Sequence, residues 1–135
     1  MDVLWLILDS LSFTATPFAH GGPDTLPGLS TLADETGVVF TDAYVPGPKS
    51  PSSHGSFLTG QLPSRTGMHE AYPRFDTDLP TIADALSGSH QSYLISSNPF
   101  LFNGLDKRFS ETTFLNDRDY LLFGDATDPT EFKWE

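Results

Sequence analysis

The chain opens on a continuous apolar run, Val3 to Leu8, bounded by Asp2 on one side and by Asp9 and Ser10 on the other. A short run of this kind, rich in β-formers, predicts a strand buried on both faces. Residues 10–26 are Ser, Thr, Gly and Pro-rich and read as a long loop. In "PGLSTLADET" (27–36), Leu29, Leu32 and Ala33 share one face and the pattern stops before Gly37, which predicts a short helix with glycine at its C-terminal end. "VVFTDAY" (38–44) then reads as a second strand. Strand, helix and strand in that order predict a parallel βαβ unit and an open α/β sheet.

After a loop at 45–52, "SHGSFLTG" begins another short helix, and a turn over 62–75 leads to "DLPTIADAL" (78–86). The latter predicts a helix capped by Asp78, with Ile82, Ala85 and Leu86 on one face. "QSYLISSN" (91–98) gives a third strand that ends in polar residues, where open α/β sheets place their sites. Beyond Asn98 the chain is aromatic and charged without clear periodicity, and 110–135 is a tail with no assigned element. No repeat or low-complexity segment interrupts the pattern. The expected fold is α/β, a mostly parallel sheet flanked by helices, in a single domain.

Composition narrows the function classes. With 135 residues, 38% of them hydrophobic, the chain suits one domain with a moderate core. Seven basic residues against 18 acidic ones give a net charge of −11, with the acids scattered rather than clustered. That argues against nucleic-acid and anionic-membrane partners, which need grouped Lys and Arg. Such a surface suits a high-salt cytoplasm, although ordinary acidic proteins share it. Without cysteine the chain has no disulfide, thiolate zinc site or cysteine nucleophile. Val3–Leu8 is too short to span a bilayer, and Asp2 stands where a signal peptide would carry basic residues, so a cytoplasmic location is expected.

Two stretches carry candidate chemistry. Asp9, just past the first predicted strand, can offer its carboxylate to a hard divalent cation, or can cap the loop through backbone amides. Ser50 lies in "GPKSPSSHGSFLTG" (47–60), ahead of a predicted helix whose N-terminus favours an incoming anionic group. Its hydroxyl is a weak nucleophile unless a metal or base removes the proton, which a cation on Asp9 could do. His54 could bond a substrate oxygen or steady the loop, and Lys49 could neutralise an anionic oxygen or simply be solvated. Alternatively Ser52 or Ser53 merely caps the helix while Pro48 and Pro51 stiffen its approach. Asn98 could line the same crevice or form a turn; Arg65, His20, His69 and His90 are weaker candidates.

The ordered segments "LWLILDS", "LPGLSTLADETGVVFTDAYVPGPKSPSSHGSFLTGQLPSRTG" and "LPTIADALSGSHQSYLISSNPFL" resemble the N-terminal part of the sulfatase family within the alkaline-phosphatase superfamily. The resemblance covers roughly residues 2–109. It implies an α/β sandwich core with a metal-assisted site that hydrolyses sulfate or phosphate esters. Asp9 matches the family's first metal-binding aspartate; Ser10 stands where many members have a second, so the metal site is altered. Ser50 matches the nucleophile and metal-contact position, with His54 and Lys49 as anion contacts. In typical members that nucleophile is converted to formylglycine, which needs a proline two residues later and an arginine four later. Ser52 and His54 stand there instead, so an unmodified Ser50 hydroxyl is expected and formylglycine is not. "SPSSHGSFLTG" is more similar to a branch that carries a hydroxyl residue followed by Pro-Pro-Ser-His, in which phosphoester or phosphoryl-transfer chemistry enters.

The resemblance also implies a divalent cation, Ca²⁺ or Mg²⁺ with Mn²⁺ or Zn²⁺ as alternatives, and a small anionic ester as substrate. The family completes its metal site with a later Asp followed by Asn or His, plus a further histidine and lysine. The late aspartates Asp117, Asp119, Asp125 and Asp128 have no such neighbours, so this chain is expected to hold only part of the family domain, completed by a C-terminal part or another chain. Three readings follow: a sulfatase-type hydrolase, a non-catalytic α/β remnant that binds a partner or anion, and an unrelated flavodoxin-like binding domain. The intact nucleophile loop favours the first, the missing downstream ligands favour the second, and the ordered motifs argue against the third.

Overall fold

The computed structural model describes residues 2–115. These form two packed units, one ending at Tyr44 and the other beginning at Val45.

In the first unit, α1 (Pro27–Glu35) forms where the Leu29, Leu32 and Ala33 spacing predicts it, with Pro27 in its first turn. Proline suits that position because the amide it lacks has no partner inside a helix. The Thr36 N–H bonds back to the Ala33 and Leu32 carbonyls and ends the helix before Gly37. A 3-10 turn, Phe13–Ala15, precedes it. Buried Thr16 closes that turn by donating its hydroxyl to the Phe13 carbonyl at 2.7 Å.

The two strands expected in this unit, at 2–10 and 38–44, are not formed. Val3, Leu4 and Leu6 are 57%, 89% and 62% exposed, and Val38 and Phe40 both 78%, the reverse of the expected two-sided burial. An apolar run becomes a strand only when a neighbour supplies ladder partners for its backbone, and neither segment has one among the described residues. The βαβ unit read from 3–44 therefore gives way to one α-helix with no strand on either side of it among the described residues.

The second unit carries the core. Its helices are α2 (Ser50–Thr59), α3 (Pro63–Thr66) and α4 (Ile82–Leu86). The αL residues Gly60 (φ 68°) and Gly67 (φ 71°) end α2 and α3, a conformation that costs glycine no Cβ clash. Helix α4 starts later than the pattern predicts, and Thr81 caps it instead of Asp78. Pro80 accounts for the delay: it pushes Leu79 towards extended backbone. Thr81 and Asp84 then form a reciprocal capping box. Ala83 is the buried position of α4 and Ile82 packs beside the core, whereas Ala85, expected on the buried face, is exposed.

The sheet has two parallel strands, β1 (Tyr93–Ser96) and β2 (Glu111–Phe114), with Tyr93 opposite Glu111 and Ser96 opposite Phe114. Strand β1 lies inside the predicted third strand. Strand β2 falls where no element was read, because a four-residue strand shows too little alternation to register. The link between them holds two 3-10 turns, Pro99–Phe102 and Asp106–Arg108, and its length meets the demand of a parallel crossover. Leu58, Met68, Phe75, Leu101 and Leu105 make the core, with Leu79, Ile82, Leu94, Phe102 and Phe109 packed against it. Arg108 clamps its rim: it donates to the Thr77 carbonyl at 2.7 Å, lies 3.8 Å from the Asp84 carboxylate and sits over the Phe75 ring. The fold of the described residues is thus α/β with a parallel sheet, smaller than the sequence pattern suggests.

Candidate active site

The stretch 47–60 folds from the residue types it contains. Pro48 and Pro51 restrict their own backbones, and α2 begins at Ser50, with Lys49 as an extended cap residue (φ −126°, ψ 152°). The helix starts earlier than the reading of "SHGSFLTG" suggests, so neither Ser52 nor Ser53 is its cap. Pro51 in the first turn explains the early start, since helix formation there needs no proline amide. Ser50 is half-buried in that first turn.

Three side chains of α2 bond back to the backbone that precedes or opens the helix. The Ser52 hydroxyl donates to the Lys49 carbonyl at 2.9 Å, the Ser53 hydroxyl to the Gly47 carbonyl at 2.7 Å, and His54 Nδ1 lies 2.8 Å from the Ser50 carbonyl. Ser52 and His54 are 6% and 3% exposed, so two of these bonds originate from buried groups. Gly47 lets the loop close over Ser52, whose hydroxyl a Cβ at that position would strike. At Gly55 a Cβ would come within 2.8 Å of Met68 Sδ, so a side chain there would push against the fully buried Met68 that α2 packs on.

Lys49 projects from the same place and pairs with Glu70 at 3.5 Å, with side chains 57% and 74% exposed. A pair this open contributes less than about 1 kcal/mol, so the ammonium can leave Glu70 for an arriving anion. Glu70 went unnoticed in the sequence because nothing in its spacing from Lys49 marks a contact between two loops.

Asp9 and Ser10 belong to the first unit. Both are exposed, in a turn where the Leu11 N–H meets the Leu8 carbonyl at 3.4 Å. Ser10 has φ 63°, an uncommon left-handed conformation for a residue other than glycine. Asn98 takes the turn role: its side-chain oxygen accepts the Phe100 N–H at 3.0 Å and caps the 3-10 turn that follows β1. His69 bridges to Tyr72 through the backbone, half-buried His90 meets the Ser89 hydroxyl at 2.7 Å, and Arg65 sits in the last turn of α3.

The sulfatase family model matches residues 1–125. The chain belongs to the sulfatase family. No solved structure matches it. Membership makes hydrolase chemistry of the sulfatase superfamily the frame for the serine at the start of α2. The cation that sulfatases imply is a different matter: among the described residues no group of three or more His, Asp or Glu is placed to hold a metal ion. Within the first unit Asp9 and Ser10 offer one carboxylate and one hydroxyl, short of the six or more oxygens that a hard cation takes, and do not by themselves fit such an ion. The late aspartates without the family's metal-motif neighbours, Asp117, Asp119, Asp125 and Asp128, lie outside the described residues. No helix among the described residues is long and apolar enough to cross a membrane.

Proposed function

We propose that this member of the sulfatase family hydrolyses small sulfate esters, with the unmodified hydroxyl of Ser50 as nucleophile. What supports the reading is the position of Ser50 in the first turn of α2, where the positive end of the helix favours an anionic ester and the lysine beside it is held only by an exposed ion pair. The hydroxyl oxygen attacks sulfur, the bond from sulfur to the ester oxygen breaks, and the alcohol leaves with the proton that the serine gives up. Water then attacks the serine sulfate, restoring the hydroxyl and releasing hydrogen sulfate. Lys49 offsets charge on the non-bridging oxygens. Asp9, with Ser10 beside it, is proposed to lend oxygen to a divalent cation whose other ligands these residues do not supply.

A second reading, phosphate-ester hydrolysis by the same serine, rests on the residues that follow it, Pro51, Ser52, Ser53 and His54. A non-catalytic α/β domain is the third, favoured by the absence of a cation-holding group among the described residues. Release of nitrophenol from nitrophenyl sulfate and nitrophenyl phosphate, in high salt with and without Ca²⁺, Mg²⁺ or Mn²⁺, separates the three. The sulfate ester is expected to turn over faster, and Ser50→Ala to abolish turnover. A faster phosphate ester selects the second reading. No turnover from the folded chain selects the third, and turnover that survives Ser50→Ala removes the serine from the mechanism.

A further inference from the structure

His54 is a buried ionisable side chain that the chemistry above leaves without a task. The residue is 3% exposed, and its ring packs edge-on against Phe57 with centroids 6.0 Å apart and brings Nδ1 to 2.8 Å from the Ser50 carbonyl oxygen. A carbonyl oxygen can only accept, so this contact requires the hydrogen to sit on Nδ1. The bond ends on the residue proposed as nucleophile, while those from Ser52 and Ser53 hold the backbone at Lys49 and Gly47. Between them the three bonds anchor both sides of the Ser50 peptide.

We propose that His54 is a positioning residue, and neither an anion contact nor a base: its Nδ1–H holds the Ser50 carbonyl and so fixes the backbone from which the nucleophilic hydroxyl projects. The inference rests on the assignment of Ser50. It follows from commitment and burial together, since a residue that is 3% exposed and tied through Nδ1 to its own helix has little left to offer an ester, whereas exposed Lys49 is held only by an open ion pair with Glu70. Small displacements of a reacting group are costly, on the order of 100-fold in rate for about 1 Å. A bond that holds the serine backbone therefore acts on the chemical step more than on ester affinity.

Two measurements test it. In the ¹⁵N-labelled full chain, long-range ¹H–¹⁵N correlation spectra, with His54 identified by its disappearance in His54→Asn, should show a hydrogen-bearing, pyrrole-type Nδ1. A bare, pyridine-type Nδ1 overturns the inference. In steady-state kinetics on the nitrophenyl ester, His54→Ala should lower kcat by about tenfold or more with little change in KM. His54→Asn, whose amide nitrogen occupies the place of Nδ1, should recover most of the loss; circular dichroism verifies that both variants are folded. A raised KM at unchanged kcat would make His54 an ester contact, and failure of a folded Asn variant to recover would make the Nδ1 bond irrelevant; either result sinks the proposal. If His54→Ala does not fold, the Asn variant and the Nδ1 spectrum still decide. Absence of wild-type turnover removes the assignment of Ser50, and the positioning role falls with it. A bare Nδ1 in an active protein removes the positioning role alone.

Discussion

Polar side chains in the buried part of α2 differ in how well they are satisfied. Ser52 and His54 bond the backbone, whereas the buried Ser56 hydroxyl has no hydrogen-bond partner among the described residues although the side chain is 8% exposed. A buried hydroxyl that has given up water without finding a partner costs about 1–3 kcal/mol. Ser56→Ala removes the hydroxyl in a helix that favours alanine, and is expected to raise stability by about 1 kcal/mol in denaturant unfolding. A loss of stability would mean that the hydroxyl has a partner in solution. The same comparison shows what could be read beforehand. The serines and histidine of "SPSSHG" were visible as a cluster, but which one starts the helix, which bonds which carbonyl and which is left over depends on backbone geometry that composition does not contain.

Helix α4 has only five residues and relies on its cap. The Thr81 N–H donates to the Asp84 carboxylate at 2.7 Å and its hydroxyl donates at 2.9 Å. These bonds, with help from the Arg108 guanidinium, hold the Asp84 carboxyl below its ordinary range against a smaller opposing effect of burial; the backbone N–H of Thr81 is the largest cause. A carboxylate with a depressed folded-state pKa stabilises the fold fully above the unfolded value of about 3.9 and loses that contribution as pH falls through the folded value. The difference in Tm between the wild-type chain and Asp84→Asn should therefore be present at pH 6 and shrink below about pH 4. A difference that is constant over this range would place the stabilisation in the hydrogen bonds rather than the charge. The existence of α1, α2, α4 and β1 was legible in the sequence, since each carries periodicity or cap residues of its own. The start of α4 was not, because Pro80 and the Thr81 box outweigh the Asp78 signal. Nor was the fate of 3–8 and 38–44: their apolar runs specify a preference for strand, but a strand exists only through its neighbour.

Across the whole chain the dominant property is charge. A net −11 spread over the sequence repels itself in the folded state, where the charges are closest together. Salt shortens the reach of that repulsion from about 10 Å at 0.1 M to about 3 Å at 1 M. The Tm of the chain is thus expected to rise between 0.1 M and 2 M KCl, by several degrees if screening of the net charge dominates. A Tm that falls with added salt would mean that specific ion pairs such as Arg108 with Asp84 outweigh the net repulsion.

The sequence alone determined the family, through ordered motifs spread from Asp9 past Asn98, and it determined that a helix would form within the serine-rich stretch 47–60, because these features are carried by residue identity and local spacing. Tertiary structure decided the rest. It buried His54 and tied its ring to Ser50, brought Glu70 to Lys49, paired β1 with a strand the pattern does not announce, and left Val3–Leu8 without a ladder. The physical reason is the same in each case. Contacts between residues far apart in the chain, and hydrogen bonds whose partner is a backbone group fixed by packing, are properties of the folded arrangement and have no local signature for the sequence to display.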